Sequence, residues 1–459
     1  MLEKTQFDWD LVRRYDTRGP RYTSYPTALQ FHDGFTASDY EEQARLGGAS
    51  RPLSVYIHIP FCEHLCFYCA CNKIATRNRS RASEYLGYLL REIDMRSRLF
   101  SAGRCIEQLH FGGGTPTFLT SSQLGEILDA LRKWFDFAHD AHGDYSIEID
   151  PRTVSARDMR ALRNLGFNRV SFGVQDFDAA VQAAVHRIQP PAQTLAIMEA
   201  SRDAGYRSLN VDLIYGLPKQ SVASMCETLG RVVDAAPDRI SLFNYAHLPD
   251  RFPAQRRIHD QDLPDAEEKL DMLRASVEMV TDAGYVYIGM DHFALPGDEL
   301  AQARKAGTLH RSFQGYTTHA GCELIGYGVS SIGYTGRCFS QNSHGIREYQ
   351  DCIDHGRLPI ARGVVLDEDD VLRADVINRL MCFGILDLPA IERHYGIDFK
   401  QYFGPELDRL DELQSDGLVR VGRDRISVTG PGWMLVRNIC ASFDRYLPEH
   451  RTDRFSRTI

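Results

Sequence analysis

From residue 53 onward, short runs of β-branched and aromatic residues alternate with longer stretches of helical periodicity. That alternation limits the folds open to the chain more than any other feature. Strands are expected at 53–59, 108–111, 146–149, 169–174, 209–214, 240–244 and 286–288. Helices are expected at 83–99, 121–135, 192–204, 221–235 and 266–283. Each helix carries the chain back to the starting edge of the next strand, so the pattern builds βαβ units on a parallel sheet. About six such units are too few to close an eight-stranded barrel. The expected class is α/β: an incomplete (βα)6 TIM-like barrel, with an open doubly wound sheet as the other arrangement the pattern permits.

The flanks read differently. Residues 1–50 show no repeating pattern but contain the aromatic and basic stretch Arg18-Gly19-Pro20-Arg21-Tyr22-Thr23-Ser24-Tyr25-Pro26. Its prolines and glycine favour an extended arm. Beyond 365 come helices and then a hairpin, with 418–421 and 425–428 flanking the turn Gly422-Arg423-Asp424. This predicts a small, mostly helical, winged-helix-like domain. Over 367–437, fourteen acids face nine Lys plus Arg. A face that contacts DNA phosphates needs the opposite balance, so a lid or docking role is expected instead. The expected divisions are an arm at 1–50, a catalytic domain at 51–364 and a C-terminal domain at 365–459.

Composition narrows the class. The formal net charge of −9 argues against a nucleic-acid partner. No apolar run approaches the ~20 residues that span a bilayer, and the first eight residues lack the apolar core of a secretory signal. A cytoplasmic protein without a membrane partner is expected. Its eleven cysteines should then be largely reduced rather than paired. Seven are scattered, but Cys62, Cys66, Cys69 and Cys71 crowd into ten residues directly after the strand at 53–59. Soft thiolates select zinc, copper(I) or iron–sulfur clusters. Zinc sites usually pair two Cys-x2-Cys knuckles, and no second knuckle exists here. Cys-x3-Cys-x2-Cys can hold three irons of a [4Fe–4S] cubane and leave the fourth open to chelate the amino and carboxylate groups of S-adenosylmethionine.

Further candidates lie at strand ends. The run Gly112-Gly113-Gly114-Thr115-Pro116 follows the second strand, either as a tight turn or as a place where backbone approaches a ligand. Glu148, Gln175, Asp212 and Ala246 lie at or near the C-terminal ends of consecutive strands, the catalytic face of barrels. Glu148 taken singly could equally be a solvated or salt-bridged carboxylate. Cys71 could be a spare thiol or a group that reaches substrate. Arg18, Arg21, Tyr22 and Tyr25 could offer cations to carboxylates and aromatic faces to flat rings, or clamp the arm.

Six motifs carry a resemblance: Tyr56-Ile57-His58-Ile59-Pro60-Phe61-Cys62, Cys69-Ala70-Cys71-Asn72-Lys73, Phe111-Gly112-Gly113-Gly114-Thr115-Pro116, Gly173-Val174-Gln175-Asp176, Asp212-Leu213-Ile214-Tyr215-Gly216-Leu217-Pro218 and Phe243-Asn244-Tyr245-Ala246-His247. Through them the chain resembles the radical S-adenosylmethionine superfamily. Within it, the chain resembles the oxygen-independent coproporphyrinogen III oxidases, from the arm to residues 455–457. The resemblance implies a [4Fe–4S] cluster on Cys62, Cys66 and Cys69, and two S-adenosylmethionines per turnover. It implies S-adenosylmethionine contacts at Tyr56, Tyr68, Gly113, Gly114, Thr115, Glu148, Gln175, Arg187, Asp212, Ala246 and Ile332. The implied chemistry is oxidative decarboxylation of the ring A and ring B propionates of coproporphyrinogen III to vinyl groups, giving protoporphyrinogen IX through a 5′-deoxyadenosyl radical. A flavodoxin-type electron donor and a monomeric state are expected alongside it. Relatives that only carry haem lack the fourth cysteine and the arm, so Cys71 and residues 18–26 argue for the enzyme.

Overall fold

The structure is a computed structural model that describes residues 7–47, 51–101 and 103–447. The readings placed on the extreme N-terminus (1–6) and on 455–457 lie outside the described residues. The chain divides into two compact units, one of residues 30–272 with 321–365, the other of residues 1–29, 273–320 and 366–459.

The larger unit is built on six parallel strands: β1 (Leu53–Ile59), β2 (Cys105–Gly113), β3 (Asp144–Ile149), β4 (Arg169–Gln175), β5 (Ser208–Tyr215) and β6 (Arg239–Asn244). They lie side by side in chain order. Between them run α1 (Ser80–Ser97), α2 (Ser121–Arg132), α3 (Ala156–Leu165), α4 (Pro191–Asp203) and α5 (Val222–Asp234). This is the expected incomplete (βα)6 barrel. Capping boxes at Thr120/Gln123, Ser155/Asp158 and Ser221/Ser224 start three of these helices and explain their sharp beginnings.

The two faces of the sheet differ, and the difference is already in the period-two pattern. Val55, Ile57, Leu109, Phe111, Ile147, Val170, Phe172, Val211 and Leu213 are almost wholly buried on one face. The alternate positions are polar and hydrogen-bond across strands: Ser54 to Gln108 at 2.9 Å, His110 to Ser146 at 2.7 Å, Ser171 to Asp212 at 2.7 Å and Ser241 to Asn210 at 3.1 Å. A parallel sheet is normally apolar on both sides. A hydrogen-bonded polar face here makes the barrel interior a place for a ligand rather than a packed core.

On the other side of β1 the sheet continues through β7 (Glu323–Tyr327), parallel to it, and then antiparallel through β8 (Ile332–Thr335), β9 (Cys338–Asn342) and β10 (Ile360–Val365). These four strands have no counterpart among the expected elements. They are short and laced with Gly326, Gly333, Ser340, Gln341 and Asn342, which hides the alternation. Two helices, Trp9–Arg14 and Ala37–Leu46, also stand where no regular pattern was expected. A readable signal existed for the second, since Thr36 and Asp39 form a capping box.

In the smaller unit the strand expected at 286–288 forms Val286–Gly289, which turns back antiparallel onto His292–Ala294 instead of extending the βα series. The helices Glu368–Phe383, Leu388–Tyr395 and Gly404–Ser415 accompany a sheet in which Arg425–Val428 pairs with both Ile385–Asp387 and Val419–Val421. The expected hairpin is therefore present as a wing. The arm is tied into the same unit: Tyr22 Oη donates to Asp444 Oδ2 at 3.1 Å, Arg437 Nε donates to the Pro20 carbonyl at 3.0 Å, and Arg21 pairs with Asp291 at 2.6 Å. No helix among the described residues is long and apolar enough to cross a membrane.

Candidate active site

The cysteine loop leaves the C-terminal end of β1 and is closed at its root. Phe61–Cys62 pairs in parallel with Ile74–Ala75, and the amides of Ile74 and Thr76 donate to the carbonyls of Pro60 (2.6 Å) and Cys62 (2.8 Å). Its middle is pinned as well. The Phe67 amide donates to the Val185 carbonyl at 3.0 Å, and the Phe67 ring stacks on His186 at 4.9 Å. His58 Nε2 meets the Asn72 carbonyl at 2.9 Å, and Lys73 Nζ donates to the Cys69 carbonyl at 2.7 Å. Buried Gln255 donates from one amide to the carbonyls of Tyr68 (2.9 Å) and Ala246 (3.2 Å), which brings the end of β6 to the loop. Each thiol is thus carried by backbone fixed from outside the loop.

The thiols differ in setting. Cys66 is buried, Cys62 and Cys69 are partly covered, and Cys71 is exposed. Burial pushes the Cys62 thiol up to about 11, although the Thr115 hydroxyl, donating to its sulfur at 3.5 Å, works the other way. Cys69 is held below the usual thiol value, chiefly by a hydrogen bond from Cys71 and then by the nearby Lys73 ammonium. Two guanidinium groups face Cys66, with Arg187 Nη1 at 3.5 Å and Arg152 Nη2 at 3.7 Å from its sulfur. Both are anchored by Asp150, at 3.4 Å and 2.6 Å. Burial alone would raise the Asp150 carboxyl, but Arg187 and Arg152 outweigh it and hold it at about 2.

The glycine run sits against this loop. Gly113 pairs in register with Ile59, and the Gly114 and Thr115 amides donate to the carbonyls of Ile59 (2.8 Å) and Phe61 (2.7 Å). A Cβ on Gly114 would lie 2.7 Å from the Phe61 carbonyl oxygen. Gly113 has φ +114°, and a Cβ there would meet the His58 ring at 2.6 Å. Only glycine fits either position, so the strand end stays open and close to the thiols.

Beyond the glycines the polar face supplies further groups. Glu148 accepts from the Gly113 amide at 3.2 Å and meets His110 Nε2 at 3.3 Å, while the His110 ring stacks on Tyr56. Asp212 accepts from Ser171 and from Asn210 at 2.8 Å, yet burial, with the nearby Glu148 charge, lifts its carboxyl to about 6. Gln175 ends β4 with φ +69°, a left-handed conformation in a non-glycine residue at a bulge. Such outliers concentrate at functional positions. Buried Arg187 donates to the Gly173 carbonyl on the same strand. Tyr68 packs on a buried apolar cluster of Val181, Val185, Leu217, Tyr245 and Ile258. Ile332 lies two strands beyond Tyr56, on β8. Tyr56 is in register with Gly326, where a Cβ would meet the Ile332 carbonyl at 2.5 Å.

The cluster cysteines, Cys71 and the S-adenosylmethionine contacts implied by the resemblance therefore lie in the larger unit, most of them on the cysteine loop, at strand ends or on the polar face, whereas Arg18, Arg21, Tyr22 and Tyr25 of the arm lie in the smaller unit. The sequence reading missed Asp150, Arg152, His58, His110, Asn244 and Gln255. The first two follow β3 directly, and Asn244 is the last residue of β6, so their position at the strand ends was the available signal. Asn244 Oδ1 and Arg187 Nε are buried with no hydrogen-bond partner among the described residues. Unsatisfied buried polar atoms of this kind are costly and need a partner. Three thiols on one braced loop, a glycine cradle and these two orphaned atoms fit a thiolate-bound cluster with a polar, amino-acid-bearing ligand beside it.

Comparison with known proteins agrees. Residues 56–232 match the Radical SAM superfamily model, and residues 366–435 match the HemN C-terminal domain. Fold and site together define a radical S-adenosylmethionine protein, which uses a [4Fe–4S] cluster and S-adenosylmethionine. The chain is 52% identical over 460 residues to the oxygen-independent coproporphyrinogen III oxidase of Pseudomonas aeruginosa, covering 100% of both chains. It is 42% identical to that of Synechocystis, covering 99% of this chain and 98% of the relative. The solved structure of coproporphyrinogen III oxidase from Escherichia coli, described as a radical SAM enzyme, superposes with a TM-score of 0.92 at 46% identity, over 96% of this chain and 99% of that one. The chain belongs to the family of oxygen-independent coproporphyrinogen III oxidases.

Proposed function

We propose that this chain converts coproporphyrinogen III to protoporphyrinogen IX without molecular oxygen, by oxidative decarboxylation of the ring A and ring B propionates to vinyl groups. The observation that carries the reading is the braced loop of Cys62, Cys66 and Cys69 at the end of β1, against the cradle of Gly113 and Gly114. When bound there, the cluster and S-adenosylmethionine supply a 5′-deoxyadenosyl radical able to take a hydrogen atom from a propionate side chain.

The chain's own residues then divide the work. Cys62, Cys66 and Cys69 hold the cluster. Gly113, Gly114 and Thr115 offer backbone and hydroxyl groups to the methionyl end of S-adenosylmethionine. Tyr56, Tyr68, Glu148, Gln175, Arg187, Asp212, Ala246 and Ile332 bind the remainder of two such molecules. Arg187 has the donor to spare, since its Nε lacks a partner among the described residues. Cys71, exposed beside Cys69, is assigned to the substrate side. Residues 51–364 would carry the reaction, with the arm and residues 365–459 as accessory parts. A small electron-transfer protein of the flavodoxin type would deliver electrons to a monomeric, cytoplasmic enzyme.

The test is anaerobic turnover by iron-reconstituted protein with S-adenosylmethionine, coproporphyrinogen III and a strong reductant, with cell extract as final electron acceptor. Vinyl product accompanied by 5′-deoxyadenosine supports the reading. Haem binding without either product would point instead to a haem carrier.

A further inference from the structure

Asp150, Arg152 and Arg187 form a buried group that the assignments above leave half used. Their side chains are about one-tenth exposed or less. Asp150 Oδ2 accepts from Arg152 Nη2 at 2.6 Å and from Arg187 Nη1 at 3.4 Å, and the same two nitrogens face Cys66 Sγ. Arg152 Nε adds a second contact to Asp150 Oδ1 at 2.9 Å. Two cations and one anion leave a surplus of one positive charge against a single thiol. Arg187 also reaches the Gly173 carbonyl and keeps a free N–H for a ligand. Arg152 makes no bond to a strand carbonyl among the described residues. Its side-chain hydrogen bonds run to Asp150 and to Cys66.

We propose that Arg152, held in place by Asp150, sets the reduction potential of the cluster through Cys66. The inference rests on Cys66 being a cluster ligand. The step concerned is the one-electron reduction of the cluster, with the electron supplied by an external donor and no bond broken. Reduction adds negative charge to the cluster and its thiolates. An N–H donor and a fixed positive charge at a ligating sulfur favour the more negative, reduced form, and hydrogen bonds to the sulfurs are a recognised control of such potentials. Low exposure keeps that charge poorly screened. Asp150 has a double part: it aims Arg152 and offsets part of its charge. Removing Arg152 should therefore lower the potential, and neutralising Asp150 should raise it. Damage to the fold would have no reason to produce opposite signs.

The experiment is a redox titration of the reconstituted full-length chain, without S-adenosylmethionine, followed by electron paramagnetic resonance of the reduced cluster. Iron and sulfide are assayed on the same samples. Arg152→Gln is expected to hold iron like the parent and to lower the reduced-to-oxidised ratio at a fixed potential about tenfold, about 59 mV for a one-electron couple. Arg152→Lys, which keeps the charge, should recover part of the loss, and Asp150→Asn should shift the midpoint upward. An unchanged midpoint in an iron-replete Arg152→Gln protein overturns the proposal. Should that variant fail to hold iron, a downward or absent shift in Asp150→Asn overturns it instead. Cys66→Ala separates this failure from that of the underlying reading: if it keeps the parent's iron content and spectrum, the cluster assignment itself is wrong.

Discussion

At the scale of single residues, the site holds carboxylates whose surroundings push them in opposite directions. Asp150 is kept ionised by two arginines, whereas Asp212 is lifted from 3.8 to about 6 by burial and the nearby Glu148. A carboxyl raised in the folded state favours folding fully below its unfolded value, and that contribution is lost as pH rises through about 6. Ionised Asp212 thus costs the cofactor-free protein at most about 3 kcal/mol at pH 8. Asp212→Asn should raise the melting temperature at pH 8, leave it unchanged at pH 4, and weaken S-adenosylmethionine binding. Calorimetry at the two pH values checks the first part, and equal shifts at both would contradict it. Cys62→Ala should abolish iron binding, while Cys71→Ala should keep the iron and lose turnover; a fully active Cys71→Ala enzyme would retire its role. The cysteines were legible because their spacing is local. Arg152 was not, because its meaning depends on a contact to Cys66 from a different strand end.

Secondary-structure elements were legible where one period runs long enough to register. All six parallel strands, and the helices α1, α2, α4 and α5 between them, stand close to their expected positions, whereas α3 and the short helix Ala179–Ala184 were not expected. The short meander of β7 to β10 and the two early helices were not readable, since glycines and polar residues break their periodicity. The polar face was not read from the sequence, because the strands stand out by their β-branched and aromatic residues. The polar residues between them acquire their meaning only by bonding to one another across the sheet. The glycine strand end is the element on which the cysteine loop rests. Gly114→Ala places a Cβ against the Phe61 carbonyl, a backbone atom at the loop's root. The strand or the loop must then move, at a cost of about 1–3 kcal/mol. The expected outcome is a lower melting temperature together with S-adenosylmethionine affinity reduced tenfold or more. Titration calorimetry showing parental affinity would mean that the close approach does not shape the site.

For the whole molecule, apolar burial and site chemistry are separated. The buried apolar face lies on one side of the sheet, while the cysteine loop and polar residues occupy strand ends and the opposite face. Chelation of the iron should therefore abolish turnover while leaving the far-ultraviolet circular dichroism spectrum unchanged. Collapse of that spectrum would show that the metal holds the fold together. The overall class followed from strand–helix alternation, and the substrate only from resemblance, because coproporphyrinogen leaves no spacing rule in a sequence. Anaerobic incubation of the reconstituted protein with S-adenosylmethionine, coproporphyrinogen III, reductant and an electron acceptor decides whether radical decarboxylation takes place on this loop. Protoporphyrin is expected after oxidation of the mixture, with 5′-deoxyadenosine and methionine formed alongside. 5′-Deoxyadenosine without vinyl product would keep the radical chemistry and contradict the substrate, and neither product would contradict both.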